Sequence, residues 1–273
     1  MGDRKRRTSK CYISNKGMYE VIHNKLINLY KDFLVVGGML ASILKYLEVN
    51  QDISIYDNSV KRNILDDYIN DMSKYTTSSE NIKIEKTYKS IPIQLGRDNN
   101  KFSYKLIEEG GRKVHYETSI DWFLNSQMIY KYILVEKPDI HLLYMKNKIF
   151  INDVGLLVEL AKLKVKDIFS DESKLFSGIL TENYVAQMIN ERTYNLNYWK
   201  SKSNAEIDFI RSINGNVVPI EVKVSMNTKS KSVNVYIERY NPKYSIRVSA
   251  KNFGFVNNIK SVPLYEVHLI KEL

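Results

Sequence analysis

From Ala205 to Val224 the chain alternates apolar and polar residues, AEIDFIRSINGNVVPIEVKV. A period of two marks half-buried β-strands, because successive side chains point to opposite faces. Asn214-Gly215 interrupts the alternation, and this dipeptide favours a two-residue type I′ hairpin turn. Such a turn sets the register. Ile213 stands opposite Asn216, so Asp208 stands opposite Glu221 and Glu206 opposite Lys223. All four charged side chains then share one face. The other face carries Ala205, Ile207 and Phe209 against Val224, Val222 and Ile220 and reads as core.

Upstream the rhythm is helical. Residues 17–50 carry apolar positions at helical spacing on either side of Gly37-Gly38, which predicts two helices with a tight break. Residues 57–78 predict an amphipathic helix with Ile64, Leu65, Tyr68 and Met72 on one face. Between Ile82 and Phe150 three short helices are expected. One runs through IEKTYKSIPIQL and is broken at Pro92, one through FSYKLIEEGG up to its glycines, and one has Ile120, Phe123 and Leu124 inward. A strand pair follows. That set suggests a winged-helix-like module, a fold that can lay a helix in a DNA groove and serves as plain packing about as often.

From Asp153 onward the order expected is helix, helix, hairpin, helix, strand, strand. DESKLFSGILTENYVAQMIN reads as a long helix capped by Ser170 or Asp171. NLNYWKSK reads as a strand, KSKSVNVYIERY as a helix, and KYSIRVSA and VPLYEVHLI as strands. The fold class is α/β in the mixed α+β sense: a helical segment over 1–80, a winged-helix-like part over 81–150 and an α/β core with a mixed sheet over 151–273.

Composition narrows the function. Forty-one Lys+Arg against 31 Asp+Glu leave a net charge of +10, which suits a polyanion, nucleic acid before an anionic membrane. AT-rich coding alone also enriches Lys, Asn, Ile and Tyr, so charge by itself is weak evidence. The single cysteine, Cys11, excludes a disulfide framework and a Cys-rich zinc site. His23, His115, His141 and His268 show no pair at metal-ligand spacing. The basic start MGDRKRRTSK has no apolar stretch behind it, and no run reaches the ~18 apolar residues of a membrane span. A cytoplasmic protein with no membrane partner is expected. No G-x-x-x-x-G-K-[ST] occurs, so no ATP site is expected in this chain.

Like charges directly opposed across strands destabilise a sheet. Asp208 against Glu221 therefore calls for water, a shared proton, Lys223 or a bound cation. Mg²⁺ or Mn²⁺ is the hard ion for such a site, since Mg²⁺ typically takes one or two carboxylates with waters and substrate phosphate. Lys223 would lie beside the ion, where it could orient a water nucleophile or neutralise developing charge on phosphorus. These are the groups that phosphodiester hydrolysis needs. Lys229, Lys231 and Arg247 would then contact phosphates. A plain salt-bridged strand face is the alternative, with Glu206 on Lys223, Asp208 on Lys200 or Lys202, and the basic residues as solvated surface.

Several stretches match a known family. EIDFI, VVPIEVKV, YSIRVSAKNFG and SVPLYEVHLI resemble the C-terminal domain of prokaryotic AAA-type ATPases, an uncharacterised domain of the PD-(D/E)xK nuclease-like superfamily. VVGGML with YLEV, ILDDYINDMSKY, SIPIQL with KFSYKLIEEGGRKVHYETSIDWFLNSQMI, and IFINDVGLL are similar to that family's middle segments, so the resemblance covers about residues 20–273. It implies a restriction-endonuclease-like core over 151–273. Within it, Asp208 matches the motif's aspartate, Glu221 its second acid and Lys223 its lysine. Glu182 matches the helix acid that often completes the metal site, Glu206 is a frequent companion acid, and Pro219 belongs to the strand pattern.

Members of that family usually begin with a P-loop ATPase domain, and MGDRKRRTSKCYISNKG stands near what would be its end. The resemblance thus implies a truncated, split or stand-alone relative, whose helices over 17–80 expose apolar surface to a partner. The partners implied are nucleic acid, DNA first, and a P-loop ATPase subunit or a second copy of this chain. A non-catalytic DNA- or protein-binding module that regulates an ATPase is the other function it allows.

Overall fold

The computed structural model describes residues 2–74, 76–97, 100–135, 147–169, 174–190, 197–201, 205–224 and 231–270. They fall into two units. The first comprises Met1–Lys31, Tyr132–Lys146 and Met188–Leu273, the second Asp32–Lys131 and Asn147–Gln187. The chain begins with α1 (Gly2–Ser14) and α2 (Glu20–Val36), and α2 passes from the first unit into the second. The second unit continues with α3 (Leu40–Glu48), α4 (Ser59–Lys74), α5 (Ser78–Leu95) and α6 (Lys113–Asn125). After β1 (Ile129–Val135), which starts in the second unit and ends in the first, come β2 (Asn147–Ile151), α7 (Val154–Leu160), α8 (Val165–Phe169) and α9 (Lys174–Ile189). The remainder belongs to the first unit: β3 (Asn197–Lys200), β4 (Glu206–Ile213), β5 (Asn216–Val222), α10 (Lys231–Tyr240), β6 (Ser245–Ser249), β7 (Gly254–Val256), β8 (Ile259–Pro263) and a 3-10 helix, Leu264–Leu269. The class is mixed α+β, as the periodicities indicate.

The first unit is built on a sheet in the order β1-β3-β4-β5-β6-β8-β7. The sheet is mixed: β1 with β3, β5 with β6 and β6 with β8 pair parallel, and β3 with β4, β4 with β5 and β7 with β8 pair antiparallel. Asn214 and Gly215 both have positive φ, 50° and 73°, the geometry of the type I′ turn. The hairpin has the expected register, with Ile213 opposite Asn216 and Phe209 opposite Ile220. Ile207, Phe209 and Ile220 are fully buried, each worth about 1.5–3 kcal/mol relative to exposure.

The charged face differs from a solvated one. Ile210 and Val217, which share the side-chain parity of Asp208 and Glu221, join one apolar cluster with Val233 and Tyr236 of α10. Trp199 anchors it, with the rings of Tyr236 and Tyr240 edge-on at 5.1 and 5.8 Å and its Nε1–H donating to the Tyr240 hydroxyl. The same cluster takes in Ile207 and Ala205 of the opposite parity, so α10 shares one apolar cluster with hairpin residues of both parities.

Farther along, LYEVHL forms the 3-10 helix and the last strand of the sheet is Ile259–Pro263, instead of one strand through VPLYEVHLI. Pro263 ends the ladder, because it has no N–H to donate. The short strand β7 gave no readable alternation over its three residues. Ser170 and Asp171, the expected caps of α9, lie outside the described residues.

In the second unit the helices at Gly37-Gly38 and over 57–78 form as expected, and Leu65 and Met72 are buried with Ile120 and Phe123. Pro92 does not break α5, which runs on to Leu95. Proline removes the N–H of its own position, yet Pro92 O still accepts from Gly96 N–H and closes the last turn. The segment FSYKLIEEGG shortens to one 3-10 turn, Tyr104–Leu106. Thr77 and Glu80 form a reciprocal capping box at the start of α5. Leu40, Leu44 and Leu47 are half or more exposed along one face of α3.

Candidate active site

The β4–β5 register and the β5–β6 ladder bring four charged residues of the first unit together. Asp208 sits near the start of β4, and its Oδ2 accepts the backbone N–H of Val222 at 2.8 Å. A side chain thereby takes a main-chain donor at the end of β5, the residue between Glu221 and Lys223. Lys223 is held in place by its own backbone, whose N–H donates to Val248 O at 2.8 Å. Glu221 pairs in register with Arg247 of β6.

Glu221 is buried, with a side chain 2% exposed, and both its oxygens face cations. Lys223 Nζ lies 3.2 Å from Oε1 and Arg247 Nε 3.3 Å from Oε2. Burying a lone carboxylate is very costly, so the two cations explain how it survives at that depth. Lys223 is the exposed partner at 37% and Arg247 the enclosed one at 14%. At the rim Glu206 pairs with Lys200 at 3.3 Å, and its N–H donates to Ser232 Oγ in the first turn of α10. Among the described residues Glu206 thus pairs with Lys200, and Glu221 with Lys223 and Arg247, where a plain salt-bridged face was expected to put Lys223 on Glu206. Register explains it: Lys200 is the β3 partner of Glu206, while Lys223 lies two residues along the chain from Glu221, just past the end of β5.

Of the remaining residues expected at the site, Lys231 is exposed as the first residue of α10, and Lys229 and Lys202 lie outside the described residues. Arg247 turns its guanidinium to Glu221. Nothing in the linear sequence links residues 221 and 247; their contact follows from parallel pairing of β5 with β6. Glu182 belongs to the second unit. There its Oε1 is 2.8 Å from Nζ of the buried Lys148, and its Oε2 accepts from Asn100 Nδ2 at 2.8 Å. Among the described residues no group of three or more His, Cys, Asp or Glu is placed to hold a metal ion, so an ion at this site would rest on Asp208 and Glu221.

Three further ionisable groups are buried away from the site, and the sequence pattern marked none of them. Asp153 caps α7 through Leu156 N–H and also accepts Gly38 N–H at 2.5 Å, so one carboxylate serves two chain segments. Burial pushes its pKa up in spite of these bonds. Lys61 is fully buried and donates to Val35 O at 2.6 Å. Burial lowers its pKa to about 8. In the first unit, burial raises the Glu266 carboxyl to about 7, and Thr8 pulls the other way. Asp153 and Lys61 serve packing: they satisfy helix ends that would otherwise leave orphaned backbone atoms.

Among the described residues no helix is long and apolar enough to cross a membrane. No curated protein and no solved structure matches the chain. Residues 177–267 match a family model described as a domain of unknown function, DUF4143. Residues 27–167, more than half of the chain, match a second, described as a domain of unknown function, DUF8612. The chain belongs to the DUF8612 family, and its strand-rich C-terminal part is similar to DUF4143.

Proposed function

We propose that the first unit is a nucleic-acid-binding, nuclease-like domain in which Asp208, Glu221 and Lys223 act on phosphodiester bonds with Mg²⁺ or Mn²⁺. The observation that supports it best is the bond from Val222 N–H to Asp208 Oδ2, which sets one carboxylate beside the Glu221–Lys223 segment. Two carboxylates fit a hard divalent ion in kind and in number, since Mg²⁺ commonly takes one or two and completes its shell with water and phosphate. Such an ion would neutralise phosphate charge and acidify a bound water. Asp208 and Glu221 would hold it. Lys223, more than a third exposed, presents an ammonium to the charge that develops on phosphorus. The net charge of +10 favours a polyanionic substrate. The likeness of the chain to the C-terminal part of AAA-type ATPases supports a P-loop ATPase as its partner.

The experiment is cleavage of plasmid and single-stranded DNA with Mg²⁺ or Mn²⁺ by the chain and by Lys223→Ala. Cleavage by the wild type that disappears in a folded Lys223→Ala variant supports the proposal. Cleavage that persists unchanged in that variant sinks it.

A second reading is favoured by the double ion pairing of Glu221. The cluster would then be a closed structural clasp, and the unit a non-catalytic module that binds DNA or protein and regulates an ATPase. DNA binding with no metal-dependent cleavage in the assay above is the outcome it expects.

A further inference from the structure

We propose that Arg247 is an internal cation that competes with a divalent ion for the Glu221 carboxylate, and so sets how readily the site takes up metal. The proposal deepens the divalent-ion reading and rests on it.

Arg247 holds the register position across from Glu221 on the neighbouring parallel strand, so the contact is built by the sheet. Its Nε lies 3.3 Å from Glu221 Oε2, and the two side chains are 14% and 2% exposed. The pair is therefore shielded from the salt and water that weaken surface ion pairs. Asp208 and Glu221 carry two negative charges, Lys223 and Arg247 two positive ones. Among the described residues these four charges balance, and a divalent ion added beside them brings two more positive charges to a carboxylate that already faces two cations.

The two cations are not equivalent. Lys223 has a flexible stem and 37% exposure, and it can turn to solvent or to a phosphate. Arg247 is enclosed, always charged, and offers a planar fork of donors. An ion approaching Glu221 Oε2 meets that guanidinium at contact distance. Arg247 has to yield the oxygen before the ion can take it. This assigns to Arg247 a positioning role: in the absence of metal it keeps the Glu221 carboxylate aimed and neutralised, and it opposes premature loading.

The test is calorimetric titration of Mn²⁺ into the full chain, into Arg247→Met, and into Arg247→Met with Asp208→Asn. Arg247→Gln keeps a donor for Glu221 and takes the place of the methionine variant if that one does not fold. Circular dichroism checks the fold in each case. The expected result is a gain in Mn²⁺ affinity of about tenfold or more on loss of the Arg247 charge, a usual size for coupling between two binding events, abolished by Asp208→Asn. Wild-type and Arg247→Met affinities that agree within error, or a weaker variant, overturn the competition and leave the ion site standing. Folded wild type and folded Arg247 variants that all fail to bind Mn²⁺ overturn the divalent-ion reading itself, and the competition with it.

Discussion

Asp208 reaches across the hairpin to Val222 and takes its backbone N–H at 2.8 Å, so an acid closes the ladder where β5 ends. The bond makes a stability claim separate from chemistry. Asp208→Asn keeps an acceptor oxygen and should change unfolding free energy by less than about 1 kcal/mol, whereas Asp208→Ala strands the N–H and should cost about 1–3 kcal/mol. Equilibrium urea unfolding of both variants decides it. Equal losses would mean that the carboxylate charge matters there and the bond does not.

Glu221 and Arg247 depend on each other for charge. Removing one partner of a buried pair typically costs about 3–5 kcal/mol, and Glu221→Gln should fall near the low end. It leaves Arg247 enclosed while Lys223 can escape to water. The double variant Glu221→Gln/Arg247→Met should be more stable than the sum of the single losses predicts, by about 1 kcal/mol or more. A double-mutant cycle from denaturant unfolding measures that coupling, and an additive result would mean that the pair contributes nothing.

Glu266 gives a pH dependence. Burial raises its folded pKa from the ordinary value of 4.5 to about 7, so the native state prefers the protonated acid. The stability this contributes is fully present below the unfolded value and is lost as pH rises through about 7. Its other close neighbour is His268, whose Nε2 lies 3.6 Å from Glu266 Oε2. Relative to Glu266→Gln, the wild type should therefore lose stability between pH 5 and pH 8. Unfolding curves of the two proteins that keep the same separation at both pH values would contradict the shift.

Gly37 tests the packing around Asp153. Its φ is +76°, and a Cβ added there would stand 2.2 Å from Asp153 Oδ1. Left-handed backbone and a clash with a capping carboxylate combine, so Gly37→Ala should destabilise by about 2–4 kcal/mol. Thermal and urea unfolding read it directly. Gly110 also has positive φ but meets nothing within 4 Å, so Gly110→Ala should lose only the backbone part, about 1 kcal/mol.

Local chemistry was legible in the sequence where one short stretch decides the geometry. Asn214-Gly215 decides the hairpin, and with it the neighbourhood of Asp208, Glu221 and Lys223. The breaks at Gly37-Gly38 and the apolar face of Leu65 and Met72 are of the same kind. Long-range pairing was not legible. Arg247 reaches Glu221 only because β5 and β6 run parallel, and Glu182 meets Lys148 only through tertiary packing. Pro92 misled because a proline near a helix end still leaves its carbonyl to accept the closing bond. Lys61 left no signal in the pattern, because its amine satisfies a helix-end carbonyl in the core only through tertiary packing.

The central claim is tested most directly by Mn²⁺ binding to the wild-type chain beside Asp208→Asn, which keeps the hydrogen bond to Val222 and removes the charge. A single site for Mn²⁺ in the wild type, lost in Asp208→Asn at unchanged stability, is the predicted result. Binding of equal strength in both proteins would contradict the assignment of Asp208 to an ion.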